Sequence, residues 1–286
     1  MKAKFSRIFL SISVLLLTQN IYAGGGWPQP KGKGYFKLGH YSIISDTYYT
    51  PNGEIIDIAT AGIHISSLYG EFGFTDRLTG IAYLPFFSRA TLNEQKSGRT
   101  GNIIAEGDEL NSFGDADIGI KYGLIVNKPI VVSVGLTLGL PLGKQSGGST
   151  GVLQTGDGEF NQIVSIEASR SLNKGKSWVS GLLAFNNRTE NFSDELRFGL
   201  ELGTKIGTKW FADVKIVNVN SLNNGSDLET PSNGIFSNNI EYLAITPELS
   251  YQWNEKYGVT SAVGFAATGK RVLASPSFSV GVFLKL

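Results

Sequence analysis

Hydrophobic and polar residues alternate along several long stretches of the chain. From Gly114 to Val126 the even positions are mainly apolar, and the odd positions are mainly polar residues or glycine. The same alternation recurs at 130–140, 195–206 and 277–286. Successive side chains of a β-strand point to opposite faces, so each stretch predicts a strand with one apolar and one polar face.

The predicted strands are long, and the connections between them fall into two classes. Each strand runs for roughly ten residues or more, which suits a tilted strand that crosses a bilayer better than the shorter strands of soluble sheets. Tight turns lie near residues 75–77, 127–129, 173–176, 207–208 and 254–256. Mostly longer polar loops alternate with them, near residues 47–55, 90–111, 142–156, 189–194, 220–239 and 268–275.

This alternation of short and long connections places the two classes at opposite ends of the strands, as in bacterial outer-membrane barrels. Five turns and six loops predict twelve strands, with both chain ends on the short-turn side. The sequence therefore predicts an all-β fold, a transmembrane up-and-down antiparallel β-barrel of about twelve strands. Because lipid leaves no partner for an open sheet edge, we expect the strand that starts near Gly34 to pair with the strand that ends at Leu286.

The start of the chain predicts export. The basic residues Lys2, Lys4 and Arg7 are followed by an apolar stretch over residues 8–17, and Ala23 is followed by three glycines. A membrane-anchoring helix would need about 20 apolar residues. The shorter stretch indicates a cleaved signal peptide, residues 1–23, followed by the barrel, residues 24–286. The expected location is the outer membrane of a Gram-negative bacterium.

Composition narrows the class of protein further. Hydrophobic residues make up 41% of the chain and charged residues 17%, which fits neither a disordered chain nor a bundle of membrane helices. The net charge of +1 gives no indication of a nucleic-acid partner. The chain has no cysteine, which excludes disulfides, thiolate metal sites and a cysteine nucleophile. We predict no cofactor and no metal site.

Charged residues at mid-strand positions predict that the inside of the barrel is polar and hydrated. A charge that faces lipid at mid-bilayer costs about 2–4 kcal/mol, so charges of both signs are expected on the inward face. The predicted lumen-lining residues are Asp115, Asp117, Lys121, Glu159, Glu167, Arg197, Glu201, Lys205, Asp213, Lys215 and Glu248.

Aromatic residues near the strand ends predict girdles at the two membrane interfaces. They cluster at the short-turn side, which favours this interpretation over chance. The residues concerned are Trp27, Tyr35, Phe72, Phe74, Trp178, Trp210, Tyr251, Trp253 and Tyr257.

Several segments together resemble a known family. The segments are Phe72–Leu78, Phe113–Tyr122, Gly139–Gly143, Thr155–Gln162 and, more weakly, Glu248–Tyr251. As a set they resemble the outer-membrane proteins of the "MetA-pathway of phenol degradation" family. The resemblance implies a barrel of roughly twelve strands and a role in passing small, often hydrophobic, molecules through the outer membrane. It supplies no catalytic residues.

Two short motifs could carry chemistry. His64 and Ser66 lie on one face of a predicted strand, and a lipid or ester hydrolase of the outer leaflet could use Ser66 as nucleophile and His64 as base. The sequence assigns no third group to orient the imidazole. Asp115 and Asp117 also share a face and could do acid–base work. Because Lys121 lies on that same face, a ladder of lumenal charges is the favoured interpretation.

Our first hypothesis is a channel or transport protein for small, possibly hydrophobic, molecules, and not an enzyme. Twelve strands lie between narrow eight-stranded barrels and open porins, so we expect a lumen partly plugged by side chains or loops and a small conductance. The alternatives are the hydrolase and a structural or adhesive barrel that binds partners through loops 90–111 and 220–239. The expected partners are outer-membrane lipid, a small-molecule solute and the barrel-assembly machinery.

Overall fold

A computed structural model describes residues 25–226 and 237–286 of the chain. The predicted signal peptide, residues 1–23, and part of the predicted loop 220–239 lie outside the described residues. The described part contains sixteen strand segments and one short 3-10 turn, Asn173–Gly175. In this part of the chain, no helix has the length and apolarity needed to cross a membrane.

Long antiparallel strands dominate the architecture, and the longest, β2, has 19 residues. The strands are β1 Gly34–Tyr49, β2 Ile55–Gly73, β3 Leu78–Leu92, β4 Gln95–Lys96, β5 Ile103–Ala105, β6 Asp108–Ser112, β7 Ala116–Ile125, β8 Ile130–Leu140, β9 Asn161–Leu172, β10 Ser177–Arg188, β11 Glu195–Ile206, β12 Trp210–Ser221, β13 Glu241–Gln252, β14 Tyr257–Lys270, β15 Val272–Leu273 and β16 Ser277–Lys285. All but β4 and β5, which pair with each other, join one sheet.

The sheet closes on itself. Each wall strand pairs with its neighbour in sequence, and β1 pairs with β2 on one side and with β16 on the other. Leu38 of β1 lies opposite Leu68 on β2 and opposite Val282 on β16. Because β6 and β7 form one wall strand, as do β15 and β16, the wall has twelve strands. The predicted barrel and the predicted closure are confirmed.

The two faces of the wall differ as the alternation predicts. On β1, Ile43 is 1% exposed and points into the barrel, whereas its neighbour Ile44 is 59% exposed and points outward. On β16 the outward residues Phe278, Val280 and Val282 are each about half exposed. A surface of this kind is stable in a bilayer, because its apolar side chains contact lipid chains. In water the same side chains would be exposed to solvent, which is unfavourable.

The two ends of the barrel differ in their connections. Short turns at 74–77, 126–129, 173–176, 207–209 and 253–256 share one end, which is the periplasmic end in this class of barrel. At the other end the loops are mostly longer, and the connection between β3 and β7 contains the β4–β5 hairpin and β6. The first and last loops are shorter than predicted. Cross-strand pairing continues to Tyr49 and Ile55, and β14 continues to Lys270.

The loop end of the interior is packed like the core of a soluble protein. Ile43, Ile63, Tyr242, Ala266 and Leu273 belong to one buried apolar cluster, in which Ala266 and Leu273 are fully buried. These residues come from β1, β2, β13, β14 and β15, so the cluster joins the first and last strands of the barrel. The lumen is therefore filled on this side of its loop end.

The first prediction concerns which face meets lipid. Val282→Arg places a charge on the outward face and should destabilise the folded barrel by about 2–4 kcal/mol. Ser279→Arg on the same strand points inward and borders the central cavity, so it should cost much less. Urea unfolding in lipid vesicles measures both changes. Equal losses for the two variants would contradict the assignment of the faces.

Candidate functional site in the barrel lumen

Three clusters of charged side chains lie inside the barrel. The first, the Lys121 cluster, combines Lys121 of β7 with Glu71 of β2 and Glu167 of β9, each at 3.8 Å from the ammonium nitrogen. These side chains are between 0% and 2% exposed. Charges buried this deeply are stable only when they are paired, so the cluster fixes the positions of three strands around one cation.

The N-terminal segment, residues 25–33, occupies the lumen beside the Lys121 cluster. The Lys121 ammonium donates to the carbonyl oxygen of Gly25 at 2.8 Å. The Ser133 hydroxyl donates to the carbonyl oxygen of Gly26 at 2.6 Å, and the backbone N–H of Gly26 donates to Ser169 Oγ at 2.7 Å. Side chains of β7, β8 and β9 therefore hold the start of the segment by its backbone.

Further contacts hold the rest of the segment at the short-turn end. The backbone N–H of Gln29 donates to Thr79 Oγ1 at 2.8 Å, and its side-chain amide donates to Glu71 at 2.9 Å. The backbone N–H of Lys31 donates to Asp76 at 3.0 Å. The segment thus crosses the lumen and narrows its short-turn end.

Glycine is required where the segment begins. Gly25 has a φ of +54°, and a Cβ atom on it would lie 2.4 Å from Ser180 Oγ. Any other residue would combine an unfavourable backbone conformation with a steric clash. The tight fit indicates that this part of the segment has a single position in the closed barrel.

The second group, the Lys215 cluster, lies on β1, β12 and β13. Lys215 is 3.3 Å from Glu248 and 3.6 Å from Asp213, and Lys37 is 3.7 Å from Glu248. Asp213 and Glu248 face each other across β12 and β13, and Lys215 forms ion pairs with both. The cluster provides both signs of charge on one side of the lumen.

The third group, the Arg188 cluster, lies toward the loop end. The guanidinium of Arg188 forms ion pairs with Asp157 at 2.9 Å, with Glu159 at 2.6 Å and with Glu195 at 2.9 Å. Arg197 adds a second cation to Glu195 at 2.6 Å. Because Asp157 and Glu159 belong to the loop that precedes β9, the arginine ties this loop to β10 and β11.

The loop over residues 141–160 folds into the mouth of the barrel. Leu153 is 1% exposed and packs with Ala90 and Leu110. The carboxylate of Asp115 accepts the backbone N–H of Gly143 at 2.8 Å and that of Asp157 at 2.9 Å. The loop is therefore held at its start by Asp115 and at its end by Arg188.

Burial, and then repulsion by the Asp157 carboxylate, raises the pKa of Asp115 to about 7. Burial also raises the pKa of Asp157, against the opposing effect of Arg188. A raised carboxyl pKa means that the folded state favours the protonated form. The N–H groups of Gly143 and Asp157 favour the ionised carboxylate, but burial and repulsion by Asp157 outweigh them. The packing of Asp115 against the loop is therefore most stable in acid and loses stability as the pH rises through about 7.

A central cavity of about 250 Å³ lies between the Lys215 cluster and the Arg188 cluster. Its lining combines aromatic and aliphatic side chains with charges of both signs. Representative residues are Tyr41, Ile63, Ile65, Tyr83, Val219, Tyr242, Lys37, Asp117, Arg197 and Glu248. This mixture can hold a small solute that has an apolar part and a polar group.

Most predicted lumen residues lie in these clusters, but two predicted positions were wrong. Asp115 precedes β7, and Glu159 lies in the loop before β9, so neither is a mid-strand residue. Glu201 accepts a hydrogen bond from the indole of Trp178, and Lys205 is exposed near the short-turn end. Whether the whole predicted set lines a path for solutes remains a prediction.

Several residues of the site were not predicted. Lys37, Glu71, Arg188 and Glu195 each form ion pairs in the clusters. The alternation of side chains along β2 could have predicted that Glu71 faces inward, since Tyr69 and Glu71 share one face of this strand. The N-terminal segment gives no such signal, because it lies inside the barrel without forming a regular strand.

The predicted aromatic girdle is only partly correct. Trp210, Trp253 and Tyr257 are 40–44% exposed near the short turns, as expected at an interface. Trp178 instead points inward and donates to Glu201 at 2.5 Å. Tyr35 also points inward, where its ring contacts that of Tyr69. The alternation of inward and outward side chains along each strand determines whether an aromatic side chain faces the lumen or the lipid. Its distance from a turn does not.

The histidine and serine of the hydrolase hypothesis do not bond to each other. Ser66 bonds to His40 at 3.0 Å, and His64 bonds to Ser42 at 2.8 Å. All four residues lie on the outward face of β1 and β2. Within residues 25–226 and 237–286, no group of three or more His, Asp or Glu residues could hold a metal ion.

The closed antiparallel barrel with an apolar exterior defines the class of protein, a bacterial outer-membrane β-barrel. The fold is similar to the COG4313 outer membrane channel from Pseudomonas putida F1, with a TM-score of 0.59 and 11% identity over 93% of this chain and 100% of that one. It is also similar to the NanC porin, with a TM-score of 0.52 and 10% identity over 88% and 100% of the two chains.

A third similar structure is the translocator domain of the autotransporter NalP from Neisseria meningitidis. Its TM-score is 0.52, with 11% identity over 90% of each chain. No family model matches the sequence, so the resemblance to the "MetA-pathway of phenol degradation" family is not confirmed, and no curated protein matches the sequence significantly. At such low identities the similarities establish the fold alone.

The second prediction concerns the pH dependence of loop 141–160. The chain has no cysteine, so Ser146→Cys gives a unique thiol for a fluorophore on an exposed loop residue. Because Asp115 loses its proton near pH 7, the fluorescence anisotropy should fall between pH 6 and pH 8 as the loop loosens. The surrounding charged groups are Asp157, Glu159, Arg188 and Glu195.

Asp115→Asn should remove most of this pH dependence, since an amide keeps an acceptor for Gly143 without the titrating charge. Asp46→Asn, on the outward face of β1, is the matched control and should leave the profile unchanged. An unaltered profile in Asp115→Asn would show that another group controls the loop.

Proposed function

We propose that the chain is a passive outer-membrane channel for small solutes that have both an apolar part and a polar group. The observation that carries the proposal is the central cavity of about 250 Å³, which is lined by the Lys215 and Arg188 clusters and by Thr155 and Asp157 of the inward-folded loop 141–160. This loop and the N-terminal segment are held by hydrogen bonds and ion pairs that can break without opening the wall. The structural similarity to an outer membrane channel supports the same function.

We further propose that the chain is related to the "MetA-pathway of phenol degradation" family and acts as a channel, not as an enzyme. The aromatic and aliphatic side chains of the cavity suit a small hydrophobic solute, in keeping with the role that the resemblance implies. Outer-membrane lipid and the barrel-assembly machinery remain proposed partners. Cleavage of residues 1–23 is likewise a proposal.

The charge balance of the interior supports selectivity for cationic solutes. Among the described residues, acids exceed bases in the three clusters and around the cavity. The acids are Glu71, Asp115, Asp117, Asp157, Glu159, Glu167, Glu195, Asp213 and Glu248, and the bases are Lys37, Lys121, Arg188, Arg197 and Lys215. A narrow passage lined by an excess of one sign favours ions of the opposite sign.

The third prediction tests this selectivity. In a planar bilayer with a KCl gradient, the reversal potential should show that K⁺ permeates faster than Cl⁻. Glu248→Gln removes one acid from the cavity wall and should reduce the preference, whereas Glu54→Gln in the exposed β1–β2 connection should not. A preference for Cl⁻ would contradict the assignment of the interior charges.

The fourth prediction tests whether the N-terminal segment closes the channel. The backbone N–H of Gln29 donates to Thr79 Oγ1 at 2.8 Å, so Gln29→Cys with Thr79→Cys should form a disulfide in a chain that has no other cysteine. We expect a lower conductance for the oxidised protein than for the reduced one. The single-cysteine variants are the controls.

Equal conductance in the oxidised and reduced states would show that the segment does not close the path. No current and no solute uptake in either state would count against the channel itself. The two outcomes are distinguishable, because the first leaves a measurable current in both states.

A further inference from the structure

Four polar side chains form a compact group on the outer surface of β1 and β2. The strands are antiparallel, and their register places His40 opposite Ser66 and Ser42 opposite His64. His40 Nδ1 lies 3.0 Å from Ser66 Oγ, and His64 Nδ1 lies 2.8 Å from Ser42 Oγ. The two imidazoles are stacked, with 6.4 Å between ring centroids and 12° between planes. We call this group the outer-wall His/Ser square.

The square faces away from the lumen. Ile43 and Ile63, the chain neighbours of Ser42 and His64, are 1% and 3% exposed and belong to the interior apolar cluster. Adjacent outward residues are apolar and exposed, with Leu38 at 51% and Val280 at 55%. Ionisable side chains on the lipid face of a membrane protein are rare and point to a function.

The depth of the square follows from its neighbours along the strands. Toward the short turns, the outward residues are apolar, as at Leu38 on β1 and Leu68 on β2. Toward the loops, Ile44 on β1 is still apolar and 59% exposed, and charge appears beyond it at Asp46. On β3, Arg89 lies directly opposite His64. The square therefore lies in the loop-side half of the apolar belt, next to an arginine that can reach the lipid headgroups.

We propose that the outer-wall His/Ser square, together with Arg89, binds the phosphate of an outer-leaflet lipid. When a serine hydroxyl donates to Nδ1 of an imidazole, the ring carries its proton on Nε2 and can donate it to an acceptor. Arg89 adds a guanidinium that is 46% exposed and uses one of its donors on Glu109 at 2.5 Å. A phosphate accepts several such hydrogen bonds.

A groove on the same wall suits an acyl chain of the bound lipid. It has a volume of about 510 Å³ and is lined on the outside by residues of β1, β2, β3, β7 and β8, among them Phe36, Gly70, Ala82, Ile120 and Leu136. Gly70 is four residues from Ser66 on β2, which corresponds to about 13 Å along a strand. An acyl chain that descends from a phosphate at the square reaches this groove.

The test uses purified full-length protein in detergent and measures lipid binding by native mass spectrometry. The probes are dioleoyl phosphatidic acid and dioleoylglycerol, which share acyl chains and differ in the phosphate. We expect the wild-type protein to prefer phosphatidic acid. His40→Leu with His64→Leu should weaken that binding on the order of tenfold, because hydrogen bonds to a charged group are lost. Leucine suits this face, whose neighbours are apolar.

Arg89→Leu is the second variant, should the double variant fail to fold, and we expect a similar loss. Arg170→Leu is the matched control, since Arg170 is an exposed arginine near the short-turn end of β9 and should leave binding unchanged. Equal binding of the two probes, or equal binding by wild type and variants, would overturn the proposal. Release of oleic acid that Ser66→Ala abolishes would overturn it in favour of an acyl hydrolase.

The square lies outside the lumen, so this inference and the proposed channel can fail independently. The double histidine variant should keep the wild-type conductance, because no lumenal side chain changes. A change in conductance without a change in lipid binding would count against this separation and against the proposed site.

Discussion

The structure depends on one constraint, which is that every backbone N–H and C=O inside a bilayer needs a partner within the protein. A sheet satisfies this constraint only when its first and last strands meet. Here β1 supplies the closure, since it pairs with β2 along one edge and with β16 along the other. The alternating faces, the twelve-strand wall and the enclosed lumen follow from this closure. The inward-facing side chains then determine how the lumen is filled.

The contents of the lumen divide into two physical regimes. On one side of the loop end, aliphatic and aromatic residues from the first and last strands exclude water and reinforce the closure. Elsewhere, charged groups are buried in networks in which Lys121, Arg188 and Lys215 each have two or more anionic partners. Networks of this kind are costly to dehydrate and are strongly destabilised when one partner is removed. They hold the strands in place while leaving a small polar and apolar cavity between them.

Much of the fold could be predicted from the sequence, because the direction of a strand side chain depends on local alternation alone. This is why Lys121, Glu167, Asp213 and Glu248 could be assigned to the inward face before the structure was known. Glu159 could not be placed in this way, because its loop folds inward through a long-range ion pair with Arg188. Local proximity also suggested a pairing of His64 with Ser66. The register between β1 and β2 sets the actual partners, and register is a property of two strands and not of one.

The docking of the N-terminal segment has a consequence for the order of assembly. Its contacts come from Glu71, Thr79, Lys121, Ser133 and Ser169, on five neighbouring strands that follow it in the chain. Residues 25–33 precede all of these strands in the chain, yet their binding surface exists only after β9 has joined β8. The segment therefore docks only after β2 to β9 have assembled, and its protection from a protease would report that stage of folding.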